Sequence, residues 1–119
     1  MQRVLAGIAQ NNFLVVGRAG MDFFPDPPGV KTEEADTFKA GLGGSSANIA
    51  AGVVKLGGQA ALVTSVSDDS VGRYCVKQLQ SYGVDCVHVK SVGGEFRNSL
   101  AVYESRVEEH QSVIYRNGA

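Results

Sequence analysis

The residues best suited to chemistry are Gly41-Leu42-Gly43-Gly44-Ser45-Ser46-Ala47-Asn48, which lead into the apolar run Ile49-Ala50-Ala51-Gly52-Val53-Val54. Glycines just before a helix let backbone N–H groups approach a ligand closely, and the helix N-terminus favours electron-rich oxygens there. A sugar or phosphate oxygen is the ligand this pattern suits. The same glycines can also serve only to make a tight turn. The P-loop lysine is missing and the glycine spacing departs from the dinucleotide fingerprint, so neither nucleotide class is supported. Ser45 or Ser46 is expected to cap the helix, and Gly57 to close it in a left-handed conformation after Lys55.

The other chemistry-bearing side chains are scattered. Arg18, Gly20 and Asp22 follow Phe13-Leu14-Val15-Val16-Gly17, a continuous apolar run that reads as a strand buried on both faces of a parallel sheet. Open α/β sheets bind ligands outside the carboxyl ends of their strands, which places Asp22 well, although an exposed loop residue would look the same. Asp68-Asp69 precedes Val71, Tyr74, Cys75, Leu79 and Tyr82 at helical spacing, and the pair reads as a cap and dipole partner rather than a catalytic dyad. His88 alternates with valines and His110 sits in a charged turn, so no nucleophile, base and orienter assemble. Cys75 and Cys86, on a predicted helix and strand, lack metal-ligand spacing and read as small buried residues.

These residues need elements to carry them. The chain has 119 residues, 44% of them hydrophobic and 19% charged, with a net charge of -1, which suits one globular domain. Eleven basic residues never cluster, which argues against nucleic acid. No apolar run is long enough to span a bilayer and no cleavage site is persuasive, so the cytoplasm is the default location. Residues 1 to 12 read as a loose leader. Buried-type strands are expected near 13 to 17, 60 to 66 and 86 to 90, alternating with two helices as βαβ units. Alternating strands near 22 to 24, 36 to 40, 97 to 105 and 111 to 116 form a small antiparallel excursion, with a turn demanded by Pro25, Pro27, Pro28 and Gly29. The four apolar side chains Leu100, Val102, Val113 and Tyr115 exceed what so small a sheet can hide, which predicts pairing with a second copy.

Four pieces together resemble the N-terminal portion of the ribokinase-like, PfkB-type carbohydrate kinases: Gly17-Arg18-Ala19-Gly20-Met21-Asp22, the glycine stretch through Leu56-Gly57, Val66-Ser67-Asp68-Asp69 with Gly72-Arg73, and Tyr115-Arg116. The likeness covers residues 13 to 119. Within the family, the Gly-Arg-Ala-Gly opening and the Tyr-Arg ending are most similar to the kinases of 5-dehydro-2-deoxygluconate. Ser46 stands where many members have glycine, alanine or proline, and Ser67 where many have glycine.

The resemblance implies a mainly parallel sheet with flanking helices and an antiparallel lid, about 22–40 and 97–116, over the sugar. It puts Asp22, Gly43, Gly44 and Asn48 at sugar hydroxyls and makes Arg116 a fork for the carboxylate or carbonyl of an acidic or keto sugar. It implies ATP and Mg²⁺ for the parent, whose Gly-Ala-Gly-Asp motif, anion hole and nucleotide site lie beyond the equivalent of Ala119. No catalytic residue, metal ligand or cofactor is therefore expected on this chain, which reads as a truncated kinase inactive by itself. The parent would phosphorylate a primary hydroxyl of a keto or deoxy sugar acid or related sugar. A non-catalytic sugar-binding or lid-mediated dimerisation module is the competing class.

Overall fold

The computed structural model describes residues 12–106 and 108–119. Its strands are β1 (Asn12–Val16), β2 (Gly20–Asp26), β3 (Thr37–Gly43), β4 (Gln59–Ser67), β5 (Val89–Val92), β6 (Leu100–Tyr103) and β7 (Ser112–Tyr115). Its helices are α1 (Ser45–Lys55) and α2 (Ser70–Ser81), with a short 3₁₀ turn at Thr32–Glu34. Most of the expected leader, residues 1 to 11, lies outside the described residues; Asn12 already belongs to β1.

Two sheets form. One is wholly parallel in the order β1-β4-β5, and the other runs β3-β2-β6-β7. The crossovers of the first move one way across the sheet, so right-handed connections put α1 and α2 on the same face. There Ala47, Ala50 and Ala51 of α1 and Cys75 and Leu79 of α2 close on Ala60, Leu62 and Val66 of β4. Small residues on α1 let its backbone sit close to the sheet. Cys75 is fully buried, and burial pushes its thiol up to about 11, so it serves as a packed apolar group.

The expectation that β1 is buried on both faces fails. Val15 pairs with Leu62 on the helix side, but Leu14 and Val16 pair with Ala61 and Val63 on the opposite side, which no described element covers. Leu14 is accordingly 64% exposed and Val16 71%. The third strand also starts later than expected, at Val89. The Asp85 carboxylate accepts the Val87 N–H (3.0 Å) and the Val89 N–H returns to the Cys86 carbonyl (3.0 Å), so Cys86, Val87 and His88 form a turn before the strand.

The lid corrects two further expectations. It is mixed, not antiparallel throughout: β2–β3 and β6–β7 are antiparallel hairpins, but β2 and β6 join them in parallel. And β2 continues through Pro25 to Asp26. The Met21 N–H donates to the Ser99 carbonyl, so odd-numbered residues of β2 face β6, and that pairing stops at Phe23. Pro25 therefore removes no ladder hydrogen bond.

Candidate functional site: a cleft between the two sheets

The chain crosses between the sheets at Gly17–Ala19, Gly43–Gly44 and Gly93–Ser99, and a cleft of about 490 Å³ opens where they meet. Its inner wall is Gly17 and Arg18, beyond the carboxyl end of β1, with Gly44, Ser45 and Ser46 at the start of α1. Its outer wall is the lid. Registry explains which lid residues face in: Asp22 pairs with Ala101 and Ala101 with Ile114, so these three lie in one row. Ser99, Tyr103 and Arg116 continue the same face. Phe24, stacked on Tyr103 with ring centroids 6.1 Å apart, supports that ring from the neighbouring strand.

The start of α1 differs from the expected serine cap. Gly44 occupies the N-cap position at φ +92°, no side chain caps the helix, and the Ser46 hydroxyl donates instead to the Val16 carbonyl at 3.2 Å. The glycine is required there, because a Cβ would strike the Arg18 carbonyl. As a result the first-turn N–H groups of α1 meet the cleft without a side-chain partner, an arrangement suited to a ligand oxygen. Gly43 is required for a different reason: a Cβ on it would run into the Asp22 carboxylate. Burial pushes Asp22 above the usual carboxylate range, which marks a carboxylate that has shed part of its water and needs donors.

Of the five residues singled out in the sequence, Asp22, Gly44 and Arg116 line the cleft and Gly43 lies against Asp22. Asn48 is not part of the lining; it is exposed on the first turn of α1, where its Nδ2 donates to the Gly44 carbonyl at 2.9 Å. Arg18, placed beside Asp22 after the first strand but given no role, also lines the cleft; Ser99, Tyr103 and Ile114 were missed. A second cavity, about 530 Å³, lies at the amino ends of the strands among Asn12, Gly58, Gln59 and Asp85. Among the described residues it has neither a guanidinium nor a helix N-terminus, and it lies away from the ends of the strands where α/β sheets take ligands.

Below the cleft, Asp69 caps α2, accepting from Val71 and Gly72 at 3.0 Å each. The Gly72 N–H, followed by the Ser67 hydroxyl, holds the Asp69 carboxyl below its ordinary range. At the far tip, buried Glu104 accepts from the Thr32 N–H (2.8 Å) and the Gln111 N–H (3.0 Å), with Arg106 at 3.5 Å. It pins the β2–β3 connection onto the β6–β7 hairpin. Those N–H groups, Thr32 foremost, hold Glu104 below the usual carboxylate range. A carboxyl lowered by folding stabilises fully above its unfolded value and loses that contribution as pH falls through the folded one. Amide exchange at Thr32 and Gln111, corrected for intrinsic rates, should accordingly stay slow at neutral pH and quicken below the ordinary glutamate range. Glu104→Gln, which keeps a single acceptor oxygen, should unprotect one of the two amides already at pH 7.

The pfkB family carbohydrate kinase matches residues 10–119. The chain belongs to that family. It is 38% identical over 107 residues to a 5-dehydro-2-deoxygluconokinase from Geobacillus kaustophilus, covering 89% of this chain and 32% of that protein. It is 31% identical over 106 residues to one from Photobacterium profundum, with the same two coverages. An uncharacterized sugar kinase from Pyrococcus horikoshii, solved in complex with ATP, superposes with a TM-score of 0.78 at 22% identity, over 89% of this chain and 34% of that one. The fold is thus ribokinase-like, and the chain spans about a third of the length of the curated relatives it matches.

Among the described residues no three His, Cys, Asp or Glu side chains gather as a metal set. Among those residues, too, no helix is long and apolar enough to cross a membrane.

Proposed function

We propose that this chain is the N-terminal portion of a cytoplasmic sugar kinase that transfers the γ-phosphoryl group of ATP to a primary hydroxyl of a keto or deoxy sugar acid, with 5-dehydro-2-deoxygluconate the favoured substrate. One observation carries the reading: the cleft joins a partly desolvated carboxylate, Asp22, to the guanidinium groups of Arg18 and Arg116 and to the uncapped N-terminus of α1. Among the described residues neither arginine forms a salt bridge. Asp22 accepts from sugar hydroxyls, Asn48 can add a carboxamide at the rim, and the arginines suit a carboxylate at the other end of an open-chain sugar acid. Together these groups bind and orient. The base and anion hole of such a kinase would come from the rest of the protein, which would also cover the exposed Leu14 and Val16 face. Mg²⁺, when bound with ATP, would neutralise charge developing on the phosphates.

The test is ATP-dependent phosphorylation by the full-length protein of 5-dehydro-2-deoxygluconate, 2-keto-3-deoxygluconate and fructose. The two acids are expected to outrun the neutral sugar, and no turnover of any of them would overturn the reading. The competing reading, a lid-mediated dimerisation module, draws on Val113 and Tyr115, 47% and 60% exposed on the lid face away from the cleft. The same face suits a homodimer of the kinase. A monomer at micromolar concentration in the ultracentrifuge would remove the interface from both readings.

A further inference from the structure

Asn98 sits in the third crossing between the sheets, and its carboxamide bonds in both directions. Oδ1 accepts the Ser67 N–H at 2.6 Å, and Nδ2 donates to the Ala19 carbonyl at 2.8 Å. Ser67 is the last residue of β4 in the parallel sheet, and Ala19 is the residue before β2 in the lid. Because one partner is a main-chain donor and the other a main-chain acceptor, the orientation of the amide is determined by them. The Ser67 hydroxyl lies 2.8 Å from the same Oδ1 and 2.7 Å from the Asp69 carboxylate. It has one proton for these two acceptors and can donate to only one of them at a time. Ser67 and Ala19 are both buried, which makes either bond costly to lose without replacement.

Each crossing contains a glycine at positive φ, Gly17, Gly44 and Gly94; the first two are packed against Ser46 and the Arg18 carbonyl, and the third has open space beside it. Met21 and Leu42 pack the base of the lid on the core, but apolar contact is not directional and tolerates small rotations. Among the described hydrogen bonds, Asn98 supplies the side-chain link from the end of the parallel sheet to the start of the lid. The walls of the cleft belong to these two bodies: Arg18 and Ser46 to one, Asp22 and Arg116 to the other.

We infer that Asn98 is a latch that sets the angle between the sheets and hence the spacing of the cleft walls, a positioning residue for the ligand. The part that concerns sugar rests on the function proposed above. The test uses the full-length protein with spin labels at Lys39→Cys on β3 and Lys77→Cys on α2, in a Cys86→Ser background, together with sugar and ATP kinetics in the unlabelled protein. Asn98→Ala should broaden the inter-label distance distribution and raise the sugar KM about tenfold, with the ATP KM within about twofold. Val84→Ala, a core truncation away from the hinge, should lower the melting temperature and change neither readout. Ser67→Ala removes the hydroxyl alone and should broaden the distribution less; if Asn98→Ala fails to fold, this variant decides. A distribution unchanged from wild type, or one broadened equally by Val84→Ala, overturns the latch. If the wild-type protein phosphorylates no sugar, the proposed function fails while the distance measurement still decides this inference.

Discussion

Replacing Asp22 with alanine in the full-length protein is expected to lower kcat/KM for the sugar about ten- to a hundredfold and to leave the KM for ATP within about twofold. A hydrogen bond to a charged group contributes about 1.5–3 kcal/mol, which corresponds to that range. Two features of the site place Asp22 towards its upper end. The carboxylate already stands partly out of water, so its interaction with a hydroxyl is poorly replaced by solvent. And the carboxylate is seated against Gly43 of β3, in the space that a Cβ there would fill. Asn48→Ala should have a smaller effect, because it removes a neutral partner whose Nδ2 is already engaged with Gly44. Gly43→Ala should imitate Asp22→Ala while keeping the carboxylate, by displacing it. The measurement is steady-state kinetics with each substrate varied separately on variants shown to be folded. An unchanged sugar kcat/KM in folded Asp22→Ala would remove Asp22 from the site.

What could be read beforehand depended on whether the signal was local. The glycine stretch announced both the helix and the site, because Gly43 and Gly44 are needed for close approaches by nearby backbone and by Asp22. The alternation from Asn98 to Tyr103 was legible as a strand, but attention fell on Leu100 and Val102. The same alternation places Ser99, Ala101 and Tyr103 on the opposite face, and that face proved to be the cleft. Cys86-Val87-His88-Val89 looks like one strand by pattern; the Asp85 side chain, closing a turn on Val87, and the Val89 N–H, bonded to the Cys86 carbonyl, break it.

β1 was misjudged because a continuous apolar run says that both faces shun water without saying which chain covers them. Asn98 carried no signal at all. Its partners lie 31 and 79 residues away, at Ser67 and Ala19, and an asparagine between an arginine and a serine matches no motif. Such a residue becomes visible once the parallel sheet and the lid are placed side by side.

The arginines give the second large effect, and one that concerns selectivity. Arg18 and Arg116 are both exposed and stand on opposite walls of the cleft. An exposed ion pair contributes up to about 1 kcal/mol, about fivefold, whereas a guanidinium fork on a carboxylate held out of water reaches about 1.5–3 kcal/mol. Arg18→Gln and Arg116→Gln should each fall between these limits, near tenfold in kcat/KM for a sugar acid. The double variant should approach a hundredfold if each arginine engages the ligand separately, and less if both hold one carboxylate, since residues sharing a partner are not additive. Fructose, which carries no carboxylate, should be affected severalfold less by every one of these changes. Arg116→Lys separates charge from geometry: it keeps the positive charge but loses the planar fork, and should recover only part of the acid preference. Raising ionic strength should narrow the acid-to-neutral ratio in the wild type and do so less in the double variant, because the charges being screened are these two. Equal losses for acid and neutral sugars would mean that the arginines shape the cleft and do not recognise a carboxylate, and the substrate would then have to be sought among neutral sugars.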